Sequence, residues 1–144
     1  MSDLRELYQQ VVLDHNKSPR NFREIDPCDH DADGYNPLCG DTVHIYIKVD
    51  GDKVEDIAFT GEGCAISKAS ASLMTDALKG KTVAEAKALF EEFQAMVTCG
   101  LPMEGKLAVF AGVRDYPMRV KCATLAWHTM KAAFDGKKDA ATTE

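Results

Sequence analysis

The chain has 144 residues, a length that suits one compact domain with its own core and is too short for two. Its formal charge is -6, and its Lys and Arg residues form no stripe of the kind that nucleic-acid phosphates require. No apolar stretch approaches the roughly 20 residues of a membrane span, and the N-terminus does not resemble a signal peptide. We therefore expect one domain over 1–144 that is soluble and cytoplasmic, with no nucleic-acid partner and no membrane partner.

The five cysteines carry most of the information about function. Their odd number, without a secretory signal, favours reduced thiols over a disulfide framework. Three of them, Cys39, Cys64 and Cys122, lie among small residues and together with Asp41 supply three sulfurs and one oxygen. These are the donors that a tetrahedral zinc ion or an iron-sulfur cluster requires. Because no CxxC pair is present, spacing alone leaves open whether the thiols share one site or are separate small core residues.

The N-terminal half is predicted to contain one helix and two antiparallel strands. Apolar residues at helical spacing indicate a helix at the N-terminus. The segment 19–38, rich in Pro, Asp, Asn and Gly, is predicted to be a long connection with a short edge strand near Tyr35. Alternating apolar residues then predict antiparallel strands over 43–49 and 54–60.

These strands can bring two of the cysteines together. Cys39 precedes the first strand and Cys64 follows the second, so both are expected at one end of the sheet. Cys64 also begins a predicted helix that Gly80 closes. Thr82 and Glu85 have the spacing of a capping box and begin the next helix.

The C-terminal part is predicted to be helical. A short helical piece over 107–113 follows the break at Gly100, and a last helix ends at Gly136. Cys122 is expected in the first turn of that last helix. The polar tail over 136–144 is expected to fray.

Two of the cysteines are expected to favour the thiolate form. A thiol at a helix N-terminus experiences the positive end of the helix dipole, which applies to Cys64 and Cys122. Arg119 and Lys121 add positive charge beside Cys122. Glycines that flank the cysteines can adopt positive backbone angles and leave room for backbone amides near sulfur: Gly40, Gly61 and Gly63.

The other thiols and the histidines are weaker candidates for the site. Cys28 and Cys99 lack the combined helix-dipole and glycine context, so we interpret both as spare thiols. The four histidines form no spaced pair on one helical face, which favours surface or supporting roles over metal ligation. His30 is the least excluded of them, because it lies in the predicted long connection.

Three sequence blocks resemble those of a known family. NPLCGD, GEGCAISKASASLM and GVRDYPMRVKCATLAW are similar to the blocks of the iron-sulfur cluster assembly scaffold family, the IscU and NifU N-terminal group, and within it the SufU branch. In the IscU branch a histidine directly precedes the third cysteine, whereas Lys121 stands there in this chain. The stretch between Cys64 and Cys122 is also longer, as in the SufU branch.

This resemblance implies a fold, a ligand set and an activity. The fold is α+β, with a small antiparallel sheet of about three strands packed against helices, as in SufE and IscU. The ligand set is a zinc ion held by Cys39, Asp41, Cys64 and Cys122. The activity is transfer of sulfur for cluster assembly, a sulfurtransferase-like relay rather than that of a stand-alone enzyme.

The resemblance also implies partners and residue roles. Cys39 would leave the zinc and take persulfide sulfur from a SufS-type cysteine desulfurase, then pass it to downstream assembly components or apoproteins. Arg119 is a candidate for stabilising the negative persulfide. The segment 16–21 is a candidate docking surface for the desulfurase.

Two alternatives of a different class remain open. One is a scaffold that assembles a [2Fe-2S] cluster on the same ligands and therefore retains iron and sulfide. The other is a structural zinc module for partner binding, in which losing Cys39 costs as much folding as losing Cys64 or Cys122. A zinc hydrolase ranks below both, because four protein donors leave no open position for water.

Overall fold

The structure, a computed structural model, describes residues 3–37, 39–103, 105–136 and 141–142. Four strands form one sheet with the order β3-β2-β1-β4, in which β1, β2 and β3 are antiparallel. The elements are, in chain order, α1 (Asp3–Lys17), β1 (His30–Asn36), β2 (Asp41–Asp50), β3 (Lys53–Glu62), α2 (Ala65–Leu78), α3 (Val83–Cys99), a 3₁₀ helix (Lys106–Asp115), α4 (Pro117–Phe134) and β4 (Ala141–Thr142). The expected α+β class with about three antiparallel strands is confirmed.

The β2–β3 hairpin forms the sheet side of the core. Its inward residues pair across the strands, Ile45 with Phe59 and Ile47 with Ile57, and all four are almost fully buried. Burying a side chain of this size stabilises a fold by about 1.5–3 kcal/mol. The turn between the strands contains Gly51 at a φ of 65°, as the predicted hairpin requires.

Strand β1 corrects the prediction for the long connection. It extends over seven residues and pairs with β2 from His30 to Asn36, whereas a short edge strand near Tyr35 was expected. Helix α4 packs so closely on β1 that a Cβ on Gly34 would overlap Thr129 Oγ1. The connection is therefore shorter than predicted, and its end is fixed against the helix layer.

The helices enclose a core that centres on Trp127. Its ring stacks on Phe93, with ring centroids 4.5 Å apart, and its Nε1 donates a 3.1 Å hydrogen bond to Ser70 Oγ. Helix α3 begins with the predicted capping box, in which Thr82 and Glu85 bond each other's backbone N–H groups. The small residues of α2 let α1, α4 and the sheet approach this helix from several sides.

The segment after α1 is anchored to α2. Ser72 Oγ lies 2.6 Å from His15 Nδ1 and accepts a 2.7 Å hydrogen bond from the backbone N–H of Arg20. Asn21, at a φ of 61°, donates from Nδ2 to Thr75 Oγ1 at 3.0 Å. Within 16–21, residues 16–18 remain exposed, and their role in docking stays a prediction.

The C-terminal tail is described in part. Ala141 and Thr142 pair in parallel with Gly34 and Tyr35 of β1. The residues 137–140 and 143–144 lie outside the described part of the chain, so the expected fraying over 136–144 stays a prediction. Among the described residues, none of the helices combines the length and the apolar character needed to cross a bilayer.

Candidate functional site

The candidate site begins at the turn between β1 and β2. Asn36 ends β1 and faces Asp41, the first residue of β2, across the strand pair. The loop over 37–40 joins them and is closed by a 2.8 Å hydrogen bond from the Gly40 N–H to the Asn36 carbonyl. Gly40 has a φ of 73°, a conformation that favours glycine. The loop therefore presents Cys39 as an exposed side chain above two buried polar residues.

Asp41 connects this turn to the start of α2. Its side chain is 1% exposed, and Oδ1 accepts a 2.8 Å hydrogen bond from the backbone N–H of Cys64. A Cβ on Gly63 would lie 2.8 Å from the same Oδ1 atom, so a glycine there lets the chain pass close to the carboxylate. A Cβ on Gly61 would overlap the Thr42 carbonyl oxygen. Both glycines thus serve the close approach that the sequence indicates.

Cys64 is the N-cap residue of α2. Its Sγ accepts a 3.4 Å hydrogen bond from the backbone N–H of Ser67. The pKa of its thiol is lowered to about 7, most of all by a hydrogen bond with the Cys122 thiol. Burial acts in the opposite direction, and the Ser67 N–H lowers the pKa further. This position agrees with the prediction of a thiolate-favouring helix N-terminus.

Cys122 differs from its prediction. Helix α4 begins at Pro117, so Cys122 lies in its second turn rather than its first, and the side chain is 4% exposed. Its pKa is raised, first by the hydrogen bond to Cys64 and then by burial. The expectation that the helix dipole, Arg119 and Lys121 would favour a Cys122 thiolate is wrong for this arrangement. The pKa values of the two thiols are therefore shifted in opposite directions, that of Cys64 downward and that of Cys122 upward.

The four predicted ligands lie at one end of the sheet. Ligand atoms of Cys39, Asp41 and Cys122 are all within 4.8 Å of one another, and the Cys122 and Cys39 sulfurs are 3.4 Å apart. Cys64 stands outside that group of three, but its Sγ lies 3.7 Å from Asp41 Oδ2. Tetrahedral zinc places two sulfur ligands about 3.8 Å apart and a sulfur and an oxygen about 3.5 Å apart. The donor types fit zinc, and the spacing of Cys39, Asp41 and Cys122 is compatible with it, whereas Cys64 approaches only on the Asp41 side. The assignment of all four residues as ligands stays a prediction.

Arg119, the other predicted site residue, is exposed at the beginning of α4. Its guanidinium carbon lies 4.5 Å from the centroid of the Tyr116 ring, a cation–π arrangement. Its charge also lowers the pKa of the Tyr8 hydroxyl, against the larger effect of burial. Arg119 precedes Cys122 by three residues in α4, and its role toward a persulfide stays a prediction.

Two further residues interact with the sulfurs, Asn36 by a hydrogen bond and Tyr8 electrostatically, and the sequence did not indicate either. Asn36 is fully buried, and its Nδ2 donates to Cys122 Sγ at 3.6 Å. The Tyr8 hydroxyl is buried with no hydrogen-bond partner among the described residues, and the charges of Cys64 and Cys122 raise its pKa in addition to burial. The pairing of Asn36 with the candidate ligand Asp41 could have indicated Asn36, had β1 been predicted in full. Tyr8 gave no such signal, because it follows the apolar spacing of an ordinary helix.

The remaining candidates lie apart from the four ligands. Cys28 is half-buried, and burial followed by nearby carboxylates raises the pKa of its thiol. Cys99 is exposed at the end of α3. His30 was the least excluded histidine because it was expected in a long connection, but it belongs to β1. Its ring centroid lies 5.8 Å from that of Phe134.

Comparison with protein families identifies the kind of chain that carries this site. Residues 7–135 match the family described as the NifU-like N terminal domain. The chain belongs to this family. The matched range includes all four candidate ligands, the three flanking glycines and Asn36. The resemblance inferred from the three sequence blocks is confirmed.

Individual relatives within the NifU-like family carry two kinds of name. The iron-sulfur cluster assembly scaffold protein IscU of Streptococcus pyogenes serotype M1 is 44% identical over 138 residues, which cover 93% of this chain and 86% of that protein. The zinc-dependent sulfurtransferase SufU of Bacillus subtilis strain 168 is 42% identical over 135 residues, which cover 90% of each chain.

A solved structure agrees with the fold of the chain. It is a protein of Fervidobacterium islandicum AW-1 described as an iron-sulfur cluster assembly scaffold for the SUF system. The two chains are 36% identical and superpose with a TM-score of 0.83, covering 89% of this chain and 96% of that one. The NifU-like architecture therefore extends over nearly the whole chain.

Proposed function

We propose that this protein acts in iron-sulfur cluster assembly as a zinc-bound acceptor of persulfide sulfur, with Cys39 as the accepting thiol. One observation carries the proposal: Cys39 is exposed, whereas its neighbours Asp41 and Cys122 are 1% and 4% exposed. An exposed thiol can meet a partner protein while buried donors keep their places. The name of the Bacillus subtilis relative supports the same combination of zinc and sulfur transfer.

Four residues would hold the zinc: Cys39, Asp41, Cys64 and Cys122. When bound, zinc keeps its thiol ligands deprotonated and protects them from oxidation. The chain prepares the site by other means. The Cys64 N–H fixes one Asp41 oxygen, and the Ser67 N–H is directed at the Cys64 sulfur. These backbone contacts belong to the ends of regular elements and hold the Asp41 and Cys64 side chains in place.

The transfer step exchanges one sulfur–sulfur bond for another. The Cys39 thiolate attacks the terminal sulfur of a cysteine persulfide on the partner, and a bond forms between Cys39 Sγ and that sulfur. The partner's own sulfur–sulfur bond breaks, and its cysteine leaves as a thiolate. The terminal sulfur keeps its hydrogen, so the step consumes no oxidant and no reductant. Arg119, exposed at the start of α4, adds positive charge where the thiolates approach.

The partners follow from this chemistry. The donor is a SufS-type, pyridoxal-phosphate-dependent cysteine desulfurase, which generates the persulfide. The acceptors are downstream cluster assembly components or apoproteins, and the thiols imply a reducing compartment such as the cytoplasm. The exposed residues 16–18 at the end of α1 are the part of the docking segment that is available to the donor.

A scaffold for a [2Fe-2S] cluster is the second candidate function. The three thiols and one carboxylate form a ligand set that is also suited to a cluster, which would be cargo rather than a resident group. The name of the Streptococcus pyogenes relative favours this function. It predicts that protein incubated anaerobically with iron and sulfide retains both through gel filtration.

The rate of alanine release from cysteine by a SufS-type desulfurase tests the proposal. We expect the zinc-loaded protein to increase this rate several-fold, because it removes persulfide from the enzyme. Bovine serum albumin and the zinc-free protein are the controls. An unchanged rate, together with retention of iron and sulfide, would favour the scaffold.

A further inference from the structure

Asn36 is the buried polar residue at which the three parts of the site meet. It ends β1, lies opposite Asp41 in the strand register and begins the loop that carries Cys39. Its carbonyl accepts the 2.8 Å hydrogen bond from Gly40 that closes this loop. Its side chain, fully buried, donates from Nδ2 to Cys122 Sγ at 3.6 Å. One residue thus connects the loop that carries Cys39 to the candidate ligand Cys122 on α4.

The contact with Cys122 distinguishes the two neighbouring thiols chemically. A buried amide is costly unless it is hydrogen-bonded, and here the sulfur of Cys122 is one of its partners. A hydrogen bond to sulfur occupies one of its lone pairs and orients the side chain, which lowers its readiness to attack. Cys39, 3.4 Å away, is exposed on its loop. The Asn36 amide therefore holds the Cys122 thiol in place and leaves the Cys39 thiol available for reaction.

We propose that Asn36 is a positioning residue that fixes Cys122 as the retained ligand and so makes Cys39 the thiol that exchanges. This inference rests on the proposed sulfur-acceptor function, in which Cys39 gives up its place as a ligand to accept sulfur. Asn36 itself touches neither the partner nor the incoming sulfur. It acts through Cys122 and through the closure of the loop by Gly40.

Zinc affinity gives the first test, measured by competition between Zn²⁺ and a chromophoric chelator. Asn36→Ala should weaken binding by about 10- to 100-fold, the usual effect of losing a residue that supports a metal ligand. Asn36→Asp should weaken it more, because a carboxylate replaces the donor and faces a thiolate. If Asn36 only filled space, Asp, which has the same shape, would preserve affinity better than Ala. That order would overturn the proposal.

A matched control separates the site from folding. Asn21→Ala also removes a side-chain amide donor, one that bonds Thr75 Oγ1 at the opposite end of α2 from Cys64. We expect it to lower the melting temperature and to leave zinc affinity unchanged. If Asn21→Ala and Asn36→Ala weaken zinc binding equally, the effect belongs to folding and the proposal is wrong.

The position of added sulfur gives the second test, and it needs neither zinc nor a desulfurase. Zinc-free protein is treated with inorganic polysulfide, and peptide mass spectrometry measures persulfide at Cys39 and at Cys122. In the wild type the label should favour Cys39, and in Asn36→Ala this preference should fall by about tenfold. An unchanged preference would contradict the role of Asn36. Failure of the wild type with a desulfurase would instead overturn the proposed function, and the polysulfide comparison would still decide this one.

Discussion

The loop over 37–40 and the buried floor beneath it, formed by Asp41 and Cys122, contain candidate ligands of opposite character. Cys39 in the loop is exposed, while Asp41 and Cys122 in the floor are within regular elements and are almost inaccessible. The floor is fixed by the Cys64 N–H on Asp41 and by Asn36 on Cys122. A metal bound here would have one exposed ligand, Cys39, and three ligands at or within regular elements. Such a site is suited to replacement of the exposed ligand. The position of each thiol in the backbone, more than its residue type, therefore sets how accessible it is.

Replacing one thiol from each region is the strongest way to test this comparison. Cys39→Ala should abolish sulfur transfer while the protein keeps its fold, because the loop contributes little to the core. Cys122→Ala should abolish transfer and also lower the melting temperature, since it removes a buried side chain between α4 and the sheet. Thermal unfolding by circular dichroism, combined with persulfide formation, measures both effects. Equal loss of folding in the two variants would favour a structural zinc module.

Gly63→Ala tests the floor separately from the loop, because the added Cβ would contact the Asp41 side chain. The added Cβ would lie 2.8 Å from Asp41 Oδ1, so the carboxylate or the chain has to move. We expect a loss of about 1–3 kcal/mol in the free energy of unfolding, together with weaker zinc binding. Gly112→Ala, where a Cβ meets nothing within 4 Å, is the control and should leave zinc binding unchanged. Normal zinc affinity in Gly63→Ala would show that the floor is less rigid than the account requires.

The smallest expected effect is a pH-dependent change in stability that comes from His44, on the exposed side of β2. His44 lies between two carboxylates, with Nε2 2.7 Å from Asp31 Oδ2 and Nδ1 against Asp33. Burial lowers the pKa of His44, but the bonds to Asp33 and Asp31 outweigh it, so the pKa is raised. A raised pKa means that the charged pair stabilises the fold below about pH 6.5 and that this contribution is lost as the pH rises through the folded value.

His44→Gln should therefore remove a stability difference of about 0.5 kcal/mol between slightly acid and slightly alkaline pH. Urea unfolding at a series of pH values measures it. Zinc affinity and sulfur transfer should match the wild type, because the side chain faces away from the four ligands on the exposed side of β2. A pH dependence that persists in His44→Gln would assign the titration to another group.

The elements with large alternating side chains were predictable from the sequence. The β2–β3 hairpin follows its alternation of isoleucine and valine with polar residues, and the capping box at Thr82 is a local signal. The position of Cys64 at a helix N-terminus was likewise readable, because glycines precede it and apolar periodicity follows. Each of these signals depends only on neighbours in the chain.

The parts that were missed depend on contacts between distant segments. Strand β1 buries Ala32, Gly34 and Asn36, which are small or polar, so its alternation does not appear as a pattern of large apolar residues. Its close packing on α4 requires that smallness. The opposite directions of the Cys64 and Cys122 pKa shifts depend on the interaction between these two thiols, which are distant in sequence, and no local charge beside Cys122 could have predicted them.

The most direct measurement is the location of sulfur after one turnover with a SufS-type desulfurase. The zinc-loaded protein is mixed with desulfurase and cysteine, quenched with an alkylating reagent and digested, and the added sulfur atom is assigned by mass spectrometry among the five cysteines. We expect persulfide on Cys39, with Cys64 and Cys122 unmodified. Persulfide mainly on Cys64 or Cys122, or its absence from all five, would contradict the division between an exchanging loop thiol and a fixed floor.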